Sequence, residues 1–244
     1  MKLNSFRGIN ALQLKLRAMA FMLMDHIWAT LPVGGEWLTC LGRVAFPIFA
    51  FQIAEGYAHT RDPKAYLRRM LIWAVITESP FNFMTAGGFF NPLHQNVLFT
   101  FALSLYIIGH MDKARARGGA LSVVGVVAWL GIGYILGFLT FVDYFGYGVF
   151  MTVMFWFLRG DKLSQFFMLA VVNVLWMKGL VYPVTLLGME LFIPQQAFAV
   201  LALIPIWLYN GEQGPYNKTI RRACYAFYPV HMAVLVVLAR FVFR

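Results

Sequence analysis

The 244-residue chain is 61% hydrophobic and 12% charged, with a mean hydropathy of +0.69, whereas a soluble domain carries about 25% charged residues. That composition excludes a soluble globular fold and describes an integral membrane protein. The net charge of +10 does not make nucleic acid an expected partner, because the basic residues stand in short clusters between apolar segments, as loop charges that fix topology do.

A crossing needs roughly 20 mainly apolar residues, fewer for a short helix. Nine such stretches are read, over residues 12–31, 37–58, 66–84, 94–110, 120–140, 143–159, 163–187, 195–210 and 223–243. The expected fold is all-α, a single polytopic membrane domain over residues 1–244, with no internal repeat or linker. Alternate loops separate by charge. Lys2, Arg7, Lys15, Arg17, Arg61, Lys64, Arg68, Arg69, Lys113, Arg115, Arg117, Arg159, Lys162, Lys218, Arg221 and Arg222 hold sixteen of the twenty basic residues. The other set, around 32–36, 85–93 and 140–142, holds none. The positive-inside rule then places the N-terminus in the cytoplasm and the C-terminus outside. Lys178, Arg240 and Arg244 do not follow the pattern, and Arg43 lies within a stretch. The first stretch, interrupted by charge, does not read as a removable signal. Cys40 and Cys224 fall near opposite faces, too far apart to be joined.

The first stretch carries the costliest residues. Asp25 and His26 are adjacent in an apolar run with Lys15 and Arg17 at its mouth. An ionisable group at the bilayer centre costs about 2.5–3.5 kcal/mol, so such groups face a bundle interior or a water-filled cavity. At about 100° per residue, Lys15 and His26 share a helix face and stand about 16 Å apart along the axis, whereas Arg17 points away. One face thus carries a surface cation and a deep imidazole, which suits a ligand with an anionic head and a long reactive arm, such as coenzyme A. His26 is then a candidate general base.

In the second stretch Arg43 reaches the depth of Asp25, either as its ion-pair partner or as a ligand contact. Pro47, Pro80, Pro183, Pro205 and Pro229 lie in apolar stretches, where each removes one helical hydrogen bond. Glu78, Asn82, His94, Gln95, Asn96 and Asp143 fall near the outer ends of their stretches and outline a polar chamber. Glu55, Tyr57, His59 and Arg61, with Tyr209, Asn210, Tyr225, Tyr228 and His231, form a second group on the inner side. Tyr228 and His231, three apart, share a face. There is no HExxH, cysteine cluster, GxGxxG or Walker loop, so no metal, dinucleotide or ATP site is expected.

The blocks MLMDHIW (22–28), GRVAFPIFAF (42–51), EGYAHTRDPKAYLRRM (55–70), NVLFTF (96–101), DYFGYGV (143–149), LYNG (208–211) and YAFYPVHM (225–232) resemble the TraX family of membrane proteins, named for the F-type pilin acetylase. They cover most of the chain in order. The resemblance implies acetylation of the N-terminal amine of a pilin or other small peptide by acetyl-CoA in the bacterial inner membrane. It extends to multi-span acyltransferases in which a basic residue, ten intervening residues and a histidine recur on an early helix, the spacing of Lys15 and His26. On this reading His26 and Asp25 are catalytic, and Lys15 and Arg61 hold cofactor phosphates. Arg43, Asn96, Tyr228 and His231 complete the cofactor site, while Glu78, His94 and Asp143 meet the acceptor. Transfer to another amine or hydroxyl, a secondary transporter, and an assembly factor whose polar residues only join helices are the alternatives.

Overall fold

The computed structural model describes residues 8–177, 179–186, 188–215 and 217–243. Lys2, Arg7, Lys178 and Arg244, used above for topology, lie outside them. The chain is mostly helical, 74%. Each of the nine expected stretches contains helix, and among the described residues four helical segments are long and apolar enough to cross a membrane: Trp37–His59, Val97–Arg115, Gly119–Leu139 and Lys218–Phe241.

Helix α1 (Ala11–Thr30) opens with a capping box, in which the side chain of Asn10 accepts from the Gln13 amide and that of Gln13 from the Asn10 amide, both at 3.0 Å. The second stretch is two helices, α2 (Trp37–Gly42) and α3 (Ala45–His59). Pro47 has no N–H to offer the Arg43 carbonyl, so the helix breaks at Arg43 and restarts with proline in its first turn, where no donor is required. Then come α4 (Pro63–Ala86), α5 (Val97–Arg115), α6 (Gly119–Leu139) and α7 (Phe145–Phe157). Helix α8 (Lys162–Ala170) runs into π-helical turns at Val171–Trp176.

Here the all-α expectation is corrected. The seventh stretch stops being helical after Trp176, and β1 (Val181–Leu186) pairs antiparallel with β2 (Met189–Pro194), Val181 opposite Pro194 and Leu186 opposite Met189. Val181, Tyr182 and Thr185 favour extended backbone, Pro183 therefore lies in a strand, and Gly188 turns the chain at φ +79°. A 3-10 segment (Gln195–Ala202), α9 (Leu203–Trp207) and α10 (Lys218–Phe241) complete the chain.

The connections gather at two ends. At one, Ile9 pairs with Tyr209, the Tyr57 hydroxyl donates to Asp112 at 3.5 Å, and Arg159 grips Glu55. At the other, Gln95 pairs with Val142, and Arg240 donates to the Gly87 carbonyl at 3.1 Å. Leu14, Ile48, Met151, Phe155 and Leu169 fill the core between them. Cys40 and Cys224 are free thiols.

Candidate active site

Near the end of α1, Asp25 turns to the α2–α3 break. Arg43 Nη2 donates to Asp25 Oδ1 in an ion pair. The buried Thr39 hydroxyl donates to the same oxygen at 2.7 Å, and accepts from Arg43 Nη2 at 3.2 Å and from Gln195 Nε2 at 3.1 Å. Gln195, at the foot of the hairpin, also donates to the Tyr182 hydroxyl at 3.3 Å. A β-carbon at Gly42 would stand 2.7 Å from Asp25 Oδ1, so glycine there lets α1 and α2 close on the pair.

His26 faces α10 instead. Its Nδ1 lies 2.7 Å from His231 Nε2, and the rings stack 4.9 Å apart at 12°. His231 Nδ1 lies 2.7 Å from the Phe227 carbonyl oxygen one turn earlier. The Tyr228 ring is 6.1 Å from His26 and 5.8 Å from His231.

A second polar cluster joins α4, α5 and the turn before α7. Buried Asn96 caps α5 through its side-chain oxygen, accepting from Leu98 at 3.0 Å, while its Nδ2 donates to the Ala74 carbonyl at 2.8 Å and to Glu78 Oε2 at 2.6 Å. Asn82 donates to Glu78 Oε1 at 3.3 Å. His94 Nε2 is 3.4 Å from Asp143 Oδ1, and Thr100 donates to the Asp143 carbonyl at 2.6 Å. The hydrogen bond to Asp143 raises the affinity of the His94 imidazole for a proton, against the opposing effect of its partial burial. Phe141, Tyr144 and Phe145, all in this turn, have φ of +52°, +59° and +46°. Such backbone costs roughly 1–3 kcal/mol per residue and persists where the surroundings fix it; here the Tyr144 ring stacks 4.1 Å from Phe46.

Two cavities adjoin each other beside α1 and α10. The larger, of about 840 Å³, opens where α1, α3, α4 and α10 meet, and Lys15, Arg69, Lys218 and Arg221 line it with Glu55 and His59. The smaller, of about 110 Å³, is an apolar cleft lined by Met22, Phe49, Leu98, Phe227 and Tyr228. Lys15, Gln52, Tyr66 and Tyr225 belong to both. His26 lies one turn beyond Met22; neither it nor His231 lines the cleft, but the lining Tyr228 ring neighbours His26 and the Phe227 ring stacks 4.7 Å from His231.

Of the residues singled out from sequence, the structure joins Asp25 to Arg43, His26 to His231 and Tyr228, Glu78 to Asn96, and His94 to Asp143. Lys15 lines both cavities, whereas Arg61 lines neither. Sequence reasoning missed Thr39, Gln195, Arg69, Lys218 and Arg221. Thr39 had a signal, one helical turn before Arg43; Gln195, distant in sequence, had none.

Residues 11–239 match a family model described as TraX protein. Over 252 aligned positions, 93% of this chain and 94% of the relative, the chain is 27% identical to the probable fimbrial assembly protein FimC, serogroup H1, of Dichelobacter nodosus. It is 28% identical over 119 positions to Protein TraX of Escherichia coli, covering 48% of this chain and 46% of that one. No solved structure matches. Both histidines, the Asp25–Arg43 pair and the second polar cluster all fall within residues 11–239, and the chain belongs to the TraX family.

Proposed function

We propose that this chain is a multi-pass inner-membrane acetyltransferase, N-terminus in the cytoplasm, that transfers acetyl from acetyl-CoA to the N-terminal amine of a pilin or similar small peptide. The observation that carries this reading is a wide basic cavity that shares four lining residues with a narrow apolar cleft, whose Phe227 and Tyr228 contact the hydrogen-bonded histidine pair. Lys15, Arg69, Lys218 and Arg221 supply charge for phosphates at the wide end, with Arg61 outside. The apolar cleft suits an uncharged thioester arm.

His26 takes a proton from the acceptor amine as nitrogen bonds to the thioester carbonyl carbon. It returns that proton to the CoA sulfur as the C–S bond breaks. An α-amine, with a pKa of about 7.7–8.0, is partly neutral near pH 7, whereas lysine at about 10.4 is not, so a base as mild as imidazole suits a peptide N-terminus. Glu78 and Asp143 lie at the opposite end and offer carboxylates to an incoming ammonium group, with His94 bonded to Asp143. Asn96 has its side-chain oxygen and nitrogen engaged within the protein and shapes the chamber. Asp25 acts through Arg43. The name of the Dichelobacter relative, a probable fimbrial assembly protein, is in keeping with a fimbrial subunit as acceptor.

The test is purified protein in nanodiscs with radiolabelled acetyl-CoA and a pilin N-terminal peptide, the product identified by its added acetyl mass. The parent is expected to label the α-amine, and His26→Ala to be slower by about 10²-fold or more, the usual contribution of a general base. Equal rates in the two would remove His26 from the chemistry. An unlabelled peptide, with substrate accumulating in proteoliposomes without acetyl-CoA, would replace this reading by transport.

A further inference from the structure

We infer that His231 is a positioning residue that fixes His26 in its Nδ1–H tautomer, so that the Nε2 lone pair is the base offered to the acceptor; this rests on the acetyl-transfer reading. The Phe227 carbonyl can only accept, so the His231 Nδ1 that lies 2.7 Å from it carries a hydrogen. In a neutral ring the other nitrogen is then an acceptor. His231 Nε2 is 2.7 Å from His26 Nδ1, so His26 Nδ1 is the donor and its Nε2 holds the free lone pair.

Among the described residues no carboxylate hydrogen-bonds to either ring, which favours the neutral pair. Asp25, the adjacent acid, is turned onto Arg43 and Thr39. Arg43, the cation whose charge acts on His26, is in turn paired with Asp25, while Asp143 and Glu78 act on Tyr228. A second histidine therefore does here what a carboxylate does for the histidine of a hydrolase triad, holding tautomer and ring plane. When His26 accepts a proton at Nε2, its Nδ1–H remains bonded to His231, whose own Nδ1–H stays on the Phe227 carbonyl. The positive charge is thus spread towards a backbone dipole.

The chain has five histidines, few enough to assign His26 by ¹⁵N solid-state NMR of labelled protein in lipid. The parent should show His26 as the Nδ1–H form. In His231→Phe that form should give way to a mixture, and acetyl transfer should fall at least tenfold. In His231→Gln the side-chain oxygen can accept from His26 Nδ1–H, so the tautomer and most of the rate should return. An Nε2–H form in the parent, or an unchanged tautomer in His231→Phe, overturns the inference. The tautomer is read without acetyl-CoA, so a parent that holds it but transfers no acetyl group overturns the acyl-transfer reading and with it the base assignment, leaving only the pairing.

Discussion

Adjacent residues on an α-helix diverge by about 100°, and at Asp25 and His26 that angle separates two tasks. The carboxylate faces α2 and the imidazole faces α10, so each meets partners that the other does not. Asp25 and Arg43 are only 19% and 15% exposed, and removing one member of a buried pair costs roughly 3–5 kcal/mol because the remaining charge has no partner. Asp25→Asn should therefore lower the thermal unfolding midpoint sharply in detergent. Asp25→Asn with Arg43→Gln should recover much of that loss, since no charge is then stranded. If the single variant melts like the parent, the pair does not hold α1 to the α2–α3 break.

At the scale of elements, the positions of the helices were legible because hydrocarbon imposes a length on any segment that crosses it. What an uninterrupted apolar run does not encode is its period, so helix and strand look alike within it. The hairpin at 181–194 was hidden for that reason, and with it Gln195, which reaches Thr39 from another part of the chain. The depth match of Asp25 and Arg43 was legible, since two antiparallel helices joined by a short loop fix it. The meeting of His26 with His231 was not, because nothing in a single sequence sets the rotation of α10 against α1. The loop at 87–96 and the turn at 140–145 offer a further test. His94 binds its proton more tightly when folded beside Asp143, so the contact is fully present below the unfolded value of about 6.5 and is lost as pH rises through the higher folded value. Hydrogen exchange in the loop, corrected for intrinsic rate, should show more opening above the folded value than below the unfolded one of about 6.5. His94→Gln should remove that difference; a variant that keeps it would assign the effect to another group.

For the molecule as a whole, the segregation of charge that predicts orientation also builds the mouth of the large cavity. Lys15, Arg69, Lys218 and Arg221 come from three helices, yet they converge because α1, α4 and α10 all begin at one end. The same mouth contains a carboxylate: among the described residues lining it, Glu55 is the one acid. Arg159 grips it from the α7–α8 connection, donating through Nε at 2.5 Å and through Nη2 at 3.2 Å. That bidentate contact cancels a negative charge where a polyphosphate would enter. Arg159→Gln should weaken CoA binding several-fold by calorimetry although Arg159 does not line the cavity, and Glu55→Gln in that background should restore it. Arg69→Gln, Lys218→Gln and Arg221→Gln should each weaken binding by about 1.4- to five-fold, in line with roughly 0.2–1 kcal/mol for an exposed charge pair, and Arg61→Gln by less. All these differences should shrink near 1 M salt, where the screening length falls to about 3 Å. Salt-independent losses, or an Arg159→Gln defect that Glu55→Gln does not repair, would mean that the mouth selects its ligand by shape and not by charge.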